Sequence, residues 1–275
     1  MTEALAHRPG IQATSRLGLE RLGEQAVVVG ATGAIGSAVV RRLTWRGLGV
    51  VAVARNAARL AELAAGGGQV VCCQADIGSN DSIEAIASCL TGPVRMAVFA
   101  AAPAANGVAQ PGRDGSLAAE SDLRLGGLLR LLHAVRDRLG PGSRLVTFAD
   151  QPTGAPGARH AVHQAGESPG GANGEVLDLM RQLGVLYGPR GITTHTLCPG
   201  LADTPRLRGI AAAAAAERGV AADEVWQEYQ AQTTLGRLPT ADEIAWAVEV
   251  LLDPEADLMH GSVLYLDAGR GAGSR

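Results

Sequence analysis

The sequence predicts an α/β fold, a doubly wound and mostly parallel sheet in a single domain. Three observations carry this. Short apolar runs that read as buried strands alternate with helical segments along most of the chain. The first run, Ala26-Val27-Val28-Val29, passes through Gly30, Gly33 and Gly36 into an amphipathic segment, Ser37–Leu43. The length, 275 residues with 47% hydrophobic, suffices for one large core.

Residues 1–24 are polar and mixed, with Pro9 and Gly10, and read as a flexible arm with one short helix at Ser15–Leu22. The domain then runs over residues 25–270. Val50–Ala54 is the second strand and ends at Arg55-Asn56. Ala57–Ala65 is a helix that Gly66-Gly67-Gly68 stops. Gln69–Gln74 is the third strand and leads into Ala75-Asp76-Ile77. Asp81–Leu90 is helical with Asn80 as its cap. Met96–Ala101 is the fourth strand, Pro103–Ser116 a loop, and Leu117–Leu139 one long leucine-rich helix. Arg144–Ala149 is the fifth strand. The loop Asp150–Ala172 is too long to be a mere connector. Gly174–Tyr187 is a helix and Thr193–Leu197 the sixth strand. Pro205–Gln232, with its alanine run, predicts helices over the site, a lid at about residues 205–232. Thr240–Leu252 is a helix opened by a Thr240/Glu243 capping box, and Val263–Leu266 is the last strand.

The glycine stretch is where chemistry enters. Gly30, Gly33 and Gly36 follow a strand and open a helix, the context that gives such spacing meaning. Gly30 permits a tight turn, Gly33 clears the approach of a pyrophosphate, and Gly36 lets helix and strand pack closely. Free N–H groups at the helix start then face phosphates. The second strand ends at Arg55, where an acid would suit the ribose hydroxyl of NAD and an arginine suits the 2′-phosphate of NADP. Asp76 is placed to touch an adenine. The pattern is that of a Rossmann-type sheet, with NADP(H) as the expected cofactor.

Composition narrows the partners. The net charge of −3 gives no case for nucleic acid. No apolar run spans a membrane, and the N-terminus lacks a secretory signal. Cys72, Cys73, Cys89 and Cys198 show no metal spacing and read as free thiols in a reducing cytoplasm. All 24 basic residues are arginine; the chain has no lysine.

Several pieces together resemble the short-chain dehydrogenase/reductase family. They are the glycine turn, Ala75-Asp76-Ile77, and Gly191-Ile192-Thr193 leading to Cys198-Pro199-Gly200 and Thr204. Leu235–Pro239 before Asp242–Ala245, and Gly261–Leu264 before Asp267-Ala268-Gly269, complete the set. The resemblance covers residues 25–269 and is nearest to reductases of 3-oxoacyl and polyketide-like carbonyls. It implies about seven parallel strands, and a cofactor held by Gly30, Thr32, Gly33, Ile35, Gly36, Arg55, Asp76, Ile77, Ala101, Pro199, Gly200 and Thr204. It also implies a homodimer or homotetramer. The leucines Leu123, Leu125, Leu128, Leu129, Leu131 and Leu132 are expected to exceed what one monomer can hide.

The family's catalytic tetrad is Asn, Ser, Tyr and Lys. Here Pro169 falls at the tyrosine position, Asn173 at the lysine, Asp150 at the serine and Arg124 at the asparagine. The tyrosines Tyr187, Tyr229 and Tyr265 lie elsewhere. Asp150 and Arg124 are expected to share the cleft as base and oxyanion holder, with His160 and His163 as further proton donors. His195 and Cys198 are expected in the core, and Glu167 is a further titratable group beside the cleft. Three readings stay open. The leading one is a non-redox tailoring enzyme (cyclisation, dehydration or isomerisation) on a small natural-product substrate. The others are an NADP-dependent reductase with a substitute acid, and a silent NADP(H)-binding sensor or subunit.

Overall fold

The computed structural model describes residues 23–101, 122–149 and 172–270, with 172 and 173 as backbone only. The arm expected at residues 1–24 therefore lies almost wholly outside the described residues, and the helix expected at Ser15–Leu22 entirely so. So do the loop Pro103–Ser116 and the residues Asp150, His160, His163, Glu167 and Pro169.

The strands are β1 (Gln25–Val29), β2 (Gly49–Ala54), β3 (Val70–Gln74), β4 (Val94–Phe99), β5 (Arg144–Phe148), β6 (Thr193–Cys198) and β7 (Val263–Tyr265). They form one sheet in the order β3-β2-β1-β4-β5-β6-β7, and every paired ladder is parallel. The chain thus runs outward from β1 to one edge and returns to β4 on its other side, the doubly wound topology expected. The reversal point lies between β1 and β4, where such sheets open a crevice at their carboxyl ends.

The helices are α1 (Ala34–Trp45), α2 (Ala57–Ala65), α3 (Asp81–Ser88), α4 (Gly127–Val135), α5 (Ala172–Tyr187), α6 (Pro205–Arg218), α7 (Ala222–Ala231) and α8 (Ala241–Val250). Alternate residues of each central strand face opposite layers, as a period of two requires. Ala26, Val28, Val50 and Ala52 pack with Val39 and Leu43 of α1 and Val248 of α8. Val27, Val29, Val51 and Val53 pack with Ile86 of α3, Leu128 and Leu131 of α4 and Met180 of α5. Each fully buried valine or leucine contributes about 1.5–3 kcal/mol, so these two layers dominate the stability.

Ion pairs tie α1 to α8. Arg42 reaches Asp242 (2.6 Å) and Glu249 (2.8 Å), and Arg46 reaches Glu249 (3.3 Å) and Asp253. Thr240 and Glu243 form the expected capping box at the start of α8.

Several expectations are corrected. Asn80 does not cap α3: its backbone is helical, and its side chain accepts from Arg130 Nε at 2.9 Å. Ser79 Oγ accepts from Asp81 N–H instead. The leucine-rich segment is not one continuous helix. A π-type turn at Asp122–Gly126 precedes α4, and a 3₁₀ turn at Arg136–Arg138 ends it. Its leucines are also less exposed than expected. Leu128 and Leu131 are buried, Leu123, Leu125 and Leu132 pack against the core, and Leu129 alone of the six stays exposed. The segment at 205–232 is two helices, broken at Gly219 with φ +68°. They share a small apolar cluster of Ala211, Ala215 and Val225, with Trp226 and Tyr229 against it.

Candidate functional site

A cavity of about 500 Å³ opens at the carboxyl ends of β1, β2, β3 and β4. Its walls are the glycine turn, the residues after β2 and β3, Ala100 and Ala101 after β4, Leu123 of the π-type turn, and Thr204 and Arg206 at the start of α6.

The glycine turn is built by close backbone approach. Gly30 has φ +81°, which only glycine adopts freely. A Cβ there would stand 2.7 Å from the backbone of Ala100 and Ala101. The N–H groups of Gly30 and Ala31 both donate to the Val53 carbonyl, which anchors the turn to β2. Gly33 is the N-cap of α1 and has no side chain to cap it. A Cβ on Gly33 would meet only the Gly30 carbonyl oxygen, at 3.3 Å, so the absent side chain leaves the cavity open there. The first-turn N–H groups of α1 have no intrahelical partners, no side-chain cap covers them, and the first turn holds no acid. Ala34, Ile35 and Gly36 all line the cavity. This is a cradle for phosphate oxygens.

Charge is distributed to match. Arg55, at the end of β2, and Arg59, on α2, both line the cavity and are exposed. Asn56 caps α2 by accepting from Arg59 N–H at 3.1 Å, which fixes where Arg59 leaves the helix. Asp76 Oδ1 accepts from Gly78 N–H at 3.0 Å in a turn after β3, so its carboxylate is held at the cavity wall. Thr204 caps α6, its Oγ1 accepting from Leu207 N–H at 3.3 Å.

The sequence-predicted residues fall into three groups. Gly30, Thr32, Gly33, Ile35, Gly36, Arg55, Asp76, Ile77, Ala101 and Thr204 meet around this one cavity. Pro199 and Gly200 follow β6 and are not among the lining residues; Gly200 takes a left-handed φ of +61° there. Arg124 is buried and partnered inside the π-type turn, and the cavity wall at that point is Leu123 rather than Arg124. Asp150, His160 and His163 lie outside the described residues, so their meeting with Arg124 stays an expectation.

Sequence reading missed Arg59 and Arg206. Arg59 follows Arg55 on α2 and Arg206 follows Thr204 at the start of α6, but only the folded sheet brings them to one cavity.

The tyrosines stand away from the cavity. Tyr187 is buried in the core with the Arg190 guanidinium 5.2 Å from its ring centre. Tyr229 packs edge-on against Trp226 at 6.5 Å. Tyr265 belongs to β7. His195 and Cys198 are buried on β6, as expected. Burial pushes the His195 pKa down to about 4, with the Arg144 and His260 charges adding to it. Its Nε2 lies 2.8 Å from Thr193 Oγ1. This imidazole stays neutral in the core.

The cradle and the cavity around it fit the diphosphate of a nicotinamide dinucleotide. Comparisons with known proteins agree in kind. A family model described as enoyl-(acyl carrier protein) reductase matches residues 30–270. The chain is 28% identical to the short-chain reductase protein NovJ of Streptomyces niveus, over 89% of this chain and 93% of that one. It is 30% identical to the cis-4-hydroxycyclohexanecarboxylate dehydrogenase of Sinomonas cyclohexanicum, over 89% of this chain and 95% of that one. It superposes on the actinorhodin polyketide ketoreductase solved with NADPH at a TM-score of 0.74 and 26% identity, covering 93% and 99% of the two chains. The cradle, the sheet order and these likenesses converge: the chain belongs to the short-chain dehydrogenase/reductase family.

Proposed function

We propose that the protein is an NADPH-dependent reductase that interconverts a ketone and a secondary alcohol on a small, natural-product-like molecule. One observation carries this: the cradle is kept whole, and arginines rather than an acid stand beyond β2. The reductases and dehydrogenases among its relatives support the same reading over the cyclase-type one.

The roles follow from position. The α1 N-terminus holds the diphosphate, and Arg55 with Arg59 holds the 2′-phosphate. Bound NADPH supplies the hydride to the carbonyl carbon. The carbonyl oxygen then needs a proton, and the chain has no lysine to make a tyrosine acidic. One of His160 and His163 supplies it, both preceding in sequence the position that the resemblance gives to tyrosine. Asp150 orients the donor, and Arg124 pairs with Asp150. The helices α6 and α7 close over the substrate. Two copies associate through the exposed Leu129 of α4 and Val185 and Leu186 of α5.

Two measurements test this. Calorimetric titration should show NADPH binding more tightly than NADH, and reduced-nicotinamide absorbance should fall when ketones are added. A protein that binds NADPH tightly and reduces no ketone would instead be a silent sensor, the reading that the missing lysine favours.

A further inference from the structure

Among the described residues many arginines are already paired. Arg42, Arg46, Arg144, Arg181, Arg208, Arg218 and Arg237 hold carboxylates. Arg55, Arg59 and Arg206 hold none among the described residues, and all three line the one cavity. Arg55 and Arg59 follow β2, on the side that takes the adenosine half of a dinucleotide. Arg206 does not. It follows β6, which the sheet order puts on the opposite side of β1.

Its neighbour Arg208 shows what the alternative looks like. Arg208 is locked by two 2.8 Å bonds to Asp203 and lies 4.5 Å over the Trp226 ring. Arg206, two residues earlier on the same helix, is exposed, and its guanidinium has no such partner among the described residues. Leu123 and Ala101 line the same cavity, and the acid among its lining residues, Asp76, follows β3 on the adenosine side.

A nicotinamide carries no negative charge, and its oxidised form is cationic. The ring of a bound nicotinamide would therefore not account for a guanidinium on that side that has no carboxylate partner among the described residues. We propose that Arg206 binds an anionic group of the substrate, a carboxylate or a phosphate ester, and so selects acidic ketones over neutral ones. This rests on the reductase reading for which side of the cavity the substrate takes. Guanidinium pairs with such groups through two parallel hydrogen bonds, and removing one side of a charged bond costs about tenfold or more in affinity.

The test uses the full chain with NADPH and matched probes: 4-oxocyclohexanecarboxylate, a 3-oxoalkanoate, and the methyl ester of each. Calorimetric titration should show at least one acid binding about tenfold more tightly than its ester. Arg206→Met should abolish that difference, Arg206→Lys should restore part of it, and NADPH affinity should hold within about twofold. Arg206 is exposed, so both variants should melt with the wild type. Equal binding of acid and ester by the wild type overturns the proposal. So does a Met variant that loses NADPH affinity, which would assign Arg206 to the cofactor diphosphate. Failure of the wild type to bind NADPH sinks the reductase reading instead. The acid–ester comparison without cofactor would then still decide the role of Arg206.

Discussion

Gly36 of α1 stands against Gly30 of the turn so closely that a Cβ on Gly36 would overlap the Gly30 carbonyl oxygen and lie 2.9 Å from its carbon. Backbone, not a flexible side-chain end, is what it would meet. Gly36→Ala must therefore push α1 away from β1 or distort the turn. The expected cost is about 1–3 kcal/mol of stability with a loss of NADPH affinity larger than the stability change alone explains. Thermal unfolding and calorimetric titration of the same variant check both. An alanine variant that melts and binds like the wild type would show that the packing is looser than the geometry states.

Arg55 and Arg59 line the cavity from the end of β2 and from α2. In the proposed NADPH complex both meet the 2′-phosphate, which NADH lacks. Each single alanine variant should weaken NADPH binding about tenfold and leave NADH nearly unchanged. The double variant should bind the two cofactors alike. If NADH suffers equally, the arginines serve the diphosphate instead.

How much of this was legible in the sequence depends on the range of the interaction. The β1–turn–α1 unit is local: three valines, three glycines and an amphipathic run specify it without help from the rest of the chain. The Thr240/Glu243 capping box is equally local. Asn80 was misread because Arg130, 50 residues away, competes for its side chain. The six leucines around α4 were misread because a π-type turn changes which of them face the core. Arg59 and Arg206 were missed because their meaning comes from the topology that sets β2 and β6 on opposite sides of β1. No local signal carries that.

The buried His195 makes stability depend on pH. Its folded pKa is about 4 against about 6.5 when exposed. The unfolded chain thus binds a proton that the folded core refuses. Stability is full above about pH 6.5 and declines as pH falls toward about 4, by up to about 3 kcal/mol. His195→Asn removes the titrating group but keeps a polar partner for Thr193. The gap in melting temperature between wild type and variant should shrink as pH falls through that window. A gap that stays constant with pH would mean that His195 is not the group responsible.

The proposed self-association keeps Leu129 of the six leucines and adds Val185 and Leu186 of α5. Val185 and Leu186 of α5 are exposed at 78% and 65%, and Leu129 of α4 at 48%. Light scattering of the wild type should give a dimer or tetramer mass at micromolar concentration. The double variant Val185→Asp/Leu186→Asp should give a smaller species without unfolding. A wild type that stays monomeric removes this part of the reading.

The proton donor gives the sharpest chemical test. In a reductase that relies on tyrosine, a neighbouring lysine ammonium keeps the phenol acidic, and this chain contains no lysine and has Pro169 and Asn173 at those two positions. A histidine donor behaves differently with pH, because only imidazolium can give the proton and its ordinary pKa is about 6.5. Ketone reduction should therefore fall as pH rises through the donor's titration, and alcohol oxidation should rise over the same range. Replacing the donor, by His160→Gln or His163→Gln, should cost a factor of about 10² to 10⁴ in kcat with little change in NADPH affinity. It should also remove that limb of the pH profile. The other histidine variant should keep it, which distinguishes a donor from a structural neighbour. Asp150→Asn should lower kcat less and shift the limb toward lower pH, because a carboxylate beside an imidazolium raises its pKa. If both histidine variants retain the wild-type rate and profile, the proton comes from elsewhere, and Asp150 itself becomes the group to test, through loss of turnover in Asp150→Asn with folding intact.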